Sequence, residues 1–267
     1  MVGERATNAS APLRIEGEWM STPAAKTVSE TGKRRTHPRR EVIRRHSWPV
    51  RLTHWINALT IFIMVGSGLN IFNAHPRLYW GQAGADFDKP FLALRAWPDW
   101  LTIPSYRDLA DARHWHFFFA WILVTNGALY LAWSFASRHI QRNLWPTATD
   151  LRAIPRSIVD HINLKHPTGE AAKRYNVLQR LAYLGLLILL IGMVVTGLCM
   201  SPGFDAFAPW LVVVLGGRQS ARTLHFLFAS AIVLFIVVHL IEVVLAGPFN
   251  EVRSMITGRY AVPGEHD

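Results

Sequence analysis

Cysteine occurs once in this chain, at Cys199. A single cysteine excludes an intrachain disulfide, a cysteine-ligated iron–sulfur cluster and covalent haem attachment through a C-x-x-C-H motif. Charge is also scarce: 17% of the 267 residues are charged, where about a quarter is usual. Acidic residues are the rarer sign, 18 against 28 Lys and Arg, which leaves a net charge of +10. The remainder is 51% hydrophobic and bunched into long runs, which points to a membrane protein. The positive excess does not read as a nucleic-acid surface. Of the 28 basic residues, 11 lie in Met1–Arg51, ahead of the first apolar run, where a basic flank marks a cytoplasmic end.

Residues 1–46 carry Ser, Thr, Pro, Gly and Arg without apolar periodicity, and are expected to form a disordered basic cytoplasmic tail. They lack the apolar stretch and cleavage site of a secretory signal. Four apolar segments follow, at about Pro49–Phe72, Arg113–Phe135, Asn176–Met200 and Ala221–Leu245, each long enough to cross a bilayer as a helix of about 20 residues. Pro49 suits a first helical turn, and Gly247–Pro248 ends the fourth segment. Residues 47–260 therefore read as one all-α, integral-membrane four-helix bundle, with 261–267 as a C-terminal tail. The loop Ala136–Tyr175 holds seven Lys and Arg, whereas Ser201–Ser220 holds only Arg218. The positive-inside rule then places both termini and the middle loop in the cytoplasm. In that middle loop Leu151, Ile154 and Ile158 recur at helical spacing, which predicts a short helix on the membrane surface; Pro155 weakens it. The outer loop Asn73–Ala112 carries Trp80, Trp97 and Trp100, suited to the headgroup level or to a docking partner.

Five of the twelve histidines lie in or beside apolar segments: His54, His114, His116, His225 and His239. His225 and His239 are fourteen residues apart, about 40° short of four full turns, so they share a helix face roughly 21 Å apart. Three segments open on one pattern, Arg51-x-x-His54-Trp55, Arg113-x-x-His116-Phe117 and Arg222-x-x-His225-Phe226. Positions i and i+3 share a helix face. The topology gives two pairs at matched depth, His116 with His225 on the outer side and His54 with His239 on the inner side. His114 and His116 lie about 200° apart, so one of them faces inward; the repeated pattern selects His116, with His114 as the alternative.

Protohaem fits between paired imidazoles in an apolar bundle. Two axial histidines leave no open site for oxygen and favour electron transfer, so two haems b, one per leaflet, are expected as a di-haem core. Arg51, Arg113 and Arg222 are expected to bind the propionates bidentately. Gly68 and Gly127 fall near the histidine faces, where either close approach of a flat macrocycle or small-residue helix packing accounts for them. A zinc or copper site lacks third and fourth ligands here, although Glu242 follows His239 by three residues. Hydrogen-bonded core histidines account poorly for four intramembrane imidazoles at matched depths.

The R-x-x-HW opening of the first segment, the histidine pair of the fourth and the ending GPFNEVRSMITGRY resemble the bacterial cytochrome b561 and nickel–iron hydrogenase b-type cytochrome superfamily. Within it, that ending looks most like the thiosulfate-reductase-type cytochrome b subunit. The resemblance covers roughly residues 45–260. It implies an inner-membrane protein with haem ligands at His54, His116, His225 and His239, and quinone as substrate at the inner haem. It also implies a periplasmic or membrane-associated oxidoreductase partner, molybdopterin enzymes being frequent. The expected function is electron transfer between that partner and the quinone pool. The alternatives are a stand-alone quinol-oxidising reductase of a small acceptor, such as superoxide or ferric chelate, and a haem-free anchor or transporter. No inverted repeat supports the transporter.

Overall fold

The computed structural model describes residues 41–85, 87–163 and 176–262. The elements run β1 (Val42–Arg44), α1 (Trp48–Asn73), β2 (Arg77–Leu78), β3 (Leu92–Ala93), α2 (Leu109–Ala136), α3 (Ala148–Arg152) and α4 (Ile154–Ile162). They continue as α5 (Val177–Cys199), α6 (Pro202–Phe207), α7 (Pro209–Val214), α8 (Arg218–Leu245), α9 (Pro248–Thr257) and β4 (Arg259–Ala261). The expected tail over residues 1–40, and the loop cations Lys165, Lys173 and Arg174, lie outside the described residues.

Helices α1, α2, α5 and α8 are the four expected spans, with 26, 28, 23 and 28 residues. Their starts follow from local chemistry. Proline occupies the first turn of α1, where its missing N–H is not needed. The Asp108 carboxylate accepts the Asp111 N–H at the start of α2, and Asn176 and Gln179 form a reciprocal cap on α5. Each span places large apolar side chains outside: Leu59, Phe62, Trp121, Ile188, Leu234 and Val244 are all exposed. Thr60, Ser67, Asn70, Asn126, Thr196 and Thr223 are buried instead. In water this distribution would be unstable. In lipid it is the favourable one, because interfaces between spans use small and hydrogen-bonding residues. The protein is an all-α, membrane-integral bundle.

The spans form two antiparallel hairpins, α1 with α2 and α5 with α8. Inside the first, the Asn126 amide donates to the Thr53 carbonyl at 3.0 Å and to Asn57 Oδ1 at 2.8 Å. Between the hairpins, the spanning helices make no extensive backbone contact among the described residues, so the two units face each other through side chains. The end where α1 begins and α8 finishes is called the terminal end below, and the opposite end the loop end.

At the loop end, the segment between α1 and α2 is strapped down. Asn73 exchanges two hydrogen bonds with the Trp97 backbone, and the Asn70 amide donates to the Pro104 and Tyr106 carbonyls. The Gly81 carbonyl accepts the first-turn N–H groups of Gln219 and Ser220, and Gln82 Oε1 accepts that of Arg218 at 2.9 Å. Those donors would otherwise be orphaned at the start of α8.

The terminal end holds elements that no long-range signal in the sequence announces. Strand β1 pairs antiparallel with β4, with Ile43 opposite Tyr260. Ordered structure therefore begins at least four residues before the boundary drawn at residue 46. The Arg51 guanidinium donates to the Ile256 carbonyl at 2.7 Å and the Trp55 indole to Met255 at 3.2 Å, fastening α9 to α1. Pro155 sits in the first turn of α4. It starts a second helix after Ala153 rather than weakening a single one.

His46 lies in this junction. Burial, with the Arg45 guanidinium next in size and the nearby His54, Arg51 and His139 adding to it, lowers its pKa from 6.5 to about 4. A histidine depressed in the fold is neutral there, so its contribution to stability is complete above pH 6.5 and is lost as pH falls toward 4. Thermal denaturation of purified protein between pH 7 and 4 is expected to show a falling midpoint, and His46→Phe is expected to flatten that slope. An equal slope in both proteins would remove His46 as the cause.

Candidate functional site

Four histidines meet in two pairs. His54 on α1 faces His239 on α8 with ring centroids 6.3 Å apart and planes at 74°. His116 on α2 faces His225 on α8 at the same 6.3 Å, with planes at 61°. All four are half-buried, whereas His114 is exposed. The ring that faces His225 is thus that of His116, not His114. The first pair lies at the terminal end and the second at the loop end, on one face of α8.

The separation has a chemical meaning. A first-row metal binds an imidazole nitrogen at about 2.0–2.1 Å, and that nitrogen lies about 1.1 Å from the ring centre, so two imidazoles on opposite sides of one ion stand about 6.3 Å apart. No three His, Cys, Asp or Glu side chains cluster among the described residues. The pairs therefore fit a group that brings its own equatorial donors, as haem does.

Two residues that the sequence reading left out support the loop-end pair. Ser67 Oγ lies 3.0 Å from His116 Nδ1, and Thr196 Oγ1 lies 3.0 Å from His225 Nδ1. The next residue on each helix is a glycine against the same ring. A Cβ on Gly68 would stand 3.5 Å from His116 Cε1, and one on Gly197 would stand 3.4 Å from His225 Cε1. Gly68 thus lies against an imidazole, and Gly127 borders open space. A signal for these residues exists in the sequence. Met64-Val-Gly-Ser67-Gly68 on α1 matches Met193-Val-Val-Thr196-Gly197 on α5. Arg113-x-x-His116-Phe117 on α2 likewise matches Arg222-x-x-His225-Phe226 on α8. The two hairpins thus carry the same two motifs, in the same order, on their first and second helices. The loop-end pair joins equivalent positions of the two hairpins. At the terminal end the hairpins differ, with Tyr183 in the place of His54 and Tyr130 in the place of His239.

The arginines are partly engaged. Arg222 donates to the His75 and Arg77 carbonyls and lies over the Phe72 ring, which itself stacks on Phe226 with centroids 4.7 Å apart. Arg51 is held by Ile256, with its Nε buried and without a partner among the described residues, and Arg113 is exposed. A guanidinium has five N–H donors, so Arg51 and Arg222 keep donors for an anion. At the terminal end His161 Nε2 on α4 lies 2.7 Å from Glu242 Oε1 on α8, one turn beyond His239.

The family described as prokaryotic cytochrome b561 matches residues 45–258. A protein of Azospira oryzae that carries the name protein-methionine-sulfoxide reductase subunit YedZ1 is 32% identical over 206 residues, 77% of this chain and 93% of its own length. A Ni/Fe-hydrogenase B-type cytochrome subunit of Cupriavidus necator is 25% identical, covering 79% of this chain and 83% of its own. Its counterpart in Bradyrhizobium diazoefficiens is 22% identical over 79% and 82%.

Proposed function

The chain belongs to the prokaryotic cytochrome b561 family, whose members are haem b membrane subunits of electron transfer, and from that premise we propose that it carries electrons across the inner membrane between an oxidoreductase partner and quinone. The carrying observation is the pair of imidazole pairs, each at 6.3 Å, about 21 Å apart along α8. His54 with His239, and His116 with His225, would each hold one haem b. A haem held between two imidazoles would supply single-electron exchange and would leave no open position for oxygen. The residues around it do the rest. The α8 helix sets both depths with one rigid element, and the arginines at the helix starts offer cationic partners for propionates.

Basic flanks support a cytoplasmic terminal end and an outward loop end. In this reading the oxidoreductase docks on the loop end, beside His116 and His225. The relatives' names speak for such a partner: one carries the name of a methionine-sulfoxide reductase subunit and two carry that of a hydrogenase subunit. The sequence resemblance favours a molybdopterin enzyme. Quinone is placed at the terminal end, where a two-electron, two-proton carrier needs proton-exchanging groups. The His161–Glu242 pair supports that placement, since an ionisable residue in a span points to function.

The purified protein is expected to show a b-type spectrum on dithionite reduction and two haems per chain by pyridine haemochrome. A quinol analogue is expected to shift the spectrum or potential of one haem only, the one lost in His54→Ala. A colourless preparation sinks the haem assignment. A normal spectrum with no response to the analogue removes only the quinone.

A further inference from the structure

We propose that Ser67 and Thr196 are positioning residues for the loop-end site: they fix the tautomers of His116 and His225 and lower the electron affinity of whatever iron those rings hold. The inference rests on the haem reading above. It concerns a different property, the potential of one site rather than its existence.

The direction of each hydrogen bond follows from counting protons. Ser67 Oγ is 2.9 Å from the Ile63 carbonyl and 3.2 Å from that of Met64. Thr196 Oγ1 is 2.7 Å from the Gly192 carbonyl and 3.2 Å from that of Met193. A hydroxyl has one proton and two lone pairs, and within a helix the proton goes back to the i−4 carbonyl. The oxygen is then an acceptor toward the ring 3.0 Å away, so Nδ1 of each histidine carries the hydrogen. Nε2 is left bare on both imidazoles, the state an axial ligand requires.

The consequence is electronic as well as geometric. Ser67 is 0% and Thr196 1% exposed, so water does not compete, and the low local dielectric strengthens each bond. An imidazole that donates its far N–H is a more basic ligand. A more basic ligand favours the oxidised, more highly charged iron, so the potential falls. Both loop-end ligands have this support because both hairpins carry the same Met-Val-x-Ser/Thr-Gly stretch. The terminal-end rings are placed differently, His239 parallel to Phe235 with centroids 6.0 Å apart and His54 edge-on to Trp55 at 5.3 Å. The duplicated hydroxyls thus distinguish two sites whose ligand types are the same.

The test compares the full-length protein with Ser67→Ala, Thr196→Val and the double variant, by optical redox titration and low-temperature EPR. The loop-end haem is identified as the one lost in His116→Ala. In the double variant its midpoint is expected to rise by about tenfold in the reduction equilibrium, the low end of what outer-shell partners contribute, or about 59 mV for one electron. The other haem is expected to keep its midpoint. Ser67→Thr and Thr196→Ser keep the hydroxyl and are expected to restore the original value. Loss of the loop-end haem alone in Ser67→Ala, with retention in Ser67→Thr, also supports the assignment. Unchanged midpoints and g-values in the double variant, or equal shifts at both haems, overturn it. A colourless unsubstituted protein would overturn the haem reading and this proposal together.

Discussion

If the chain carries the two haems proposed, the His225→Ala protein is expected to hold one haem per chain, and the His239→Ala protein to hold the other one. Each substitution would remove one of the two imidazoles proposed to hold a haem, and among the described residues no third His, Cys, Asp or Glu clusters with either pair to replace it. Because both rings lie on α8, the double variant is expected to be colourless while the helix survives: alanine is the best helix former, and the four spans retain their apolar faces. Partner substitutions sort the sites. His116→Ala should reproduce the spectrum and potential of His225→Ala, and His54→Ala those of His239→Ala. His114→Ala should keep both haems, since that side chain is exposed. The measurement is pyridine haemochrome against protein concentration, followed by redox titration of the remaining haem. If His116→Ala and His239→Ala leave the same haem behind, the pairing is wrong.

A second large effect is expected at Gly217, far from any imidazole. Its φ of 107° lies where side chains are strained, and a Cβ there would stand 2.5 Å from the carbonyl carbon and oxygen of Gly81. The two demands add: an unfavourable backbone well costs about 1–3 kcal/mol, and overpacking against backbone that cannot swing away costs about as much again. Gly217→Ala is therefore expected to lose about 3 kcal/mol or more. Relief requires pulling Gly81 away from the N–H groups of Gln219 and Ser220 that it caps. Thermal denaturation in detergent should show the loss, and the haem nearer the loop end should leave first on heating. Gly216→Ala is the comparison: its φ is 79°, but its nearest neighbour is the Ser220 hydroxyl at 3.3 Å rather than backbone at 2.5 Å. Equal effects at the two glycines would show that conformation alone matters there and that close approach to Gly81 does not.

These sites were not equally legible. The four spans could be read because lipid imposes a length and a polarity on every crossing helix, and the runs near Pro49, Arg113, Asn176 and Ala221 satisfy both. The histidine pairs could be read because helical geometry and loop charge together assign a depth to each residue. The glycine contact of Gly217 could not. Its cause is a loop that returns to α8 from far back in the chain, and neither glycine carries a side chain to mark the meeting. The strand pairing of Ile43 with Tyr260 was hidden for a similar reason, since three-residue strands have no periodicity to detect. Ser67 and Thr196 were visible but ambiguous. A small hydroxyl in a span is most often a packing residue, and only the ring 3.0 Å away separates that role from another.

By itself, the sequence determined the class of structure, the number of crossings and which histidines could share a depth, because those depend on spacing along single helices and on the energy of polar groups in lipid. Only the tertiary structure decided that the rings meet in two pairs 6.3 Å apart, that His116 rather than His114 turns inward, and that two hydroxyls stand behind one pair. Those facts depend on how two hairpins face each other. Such contacts join residues far apart in the chain, and no local preference encodes them.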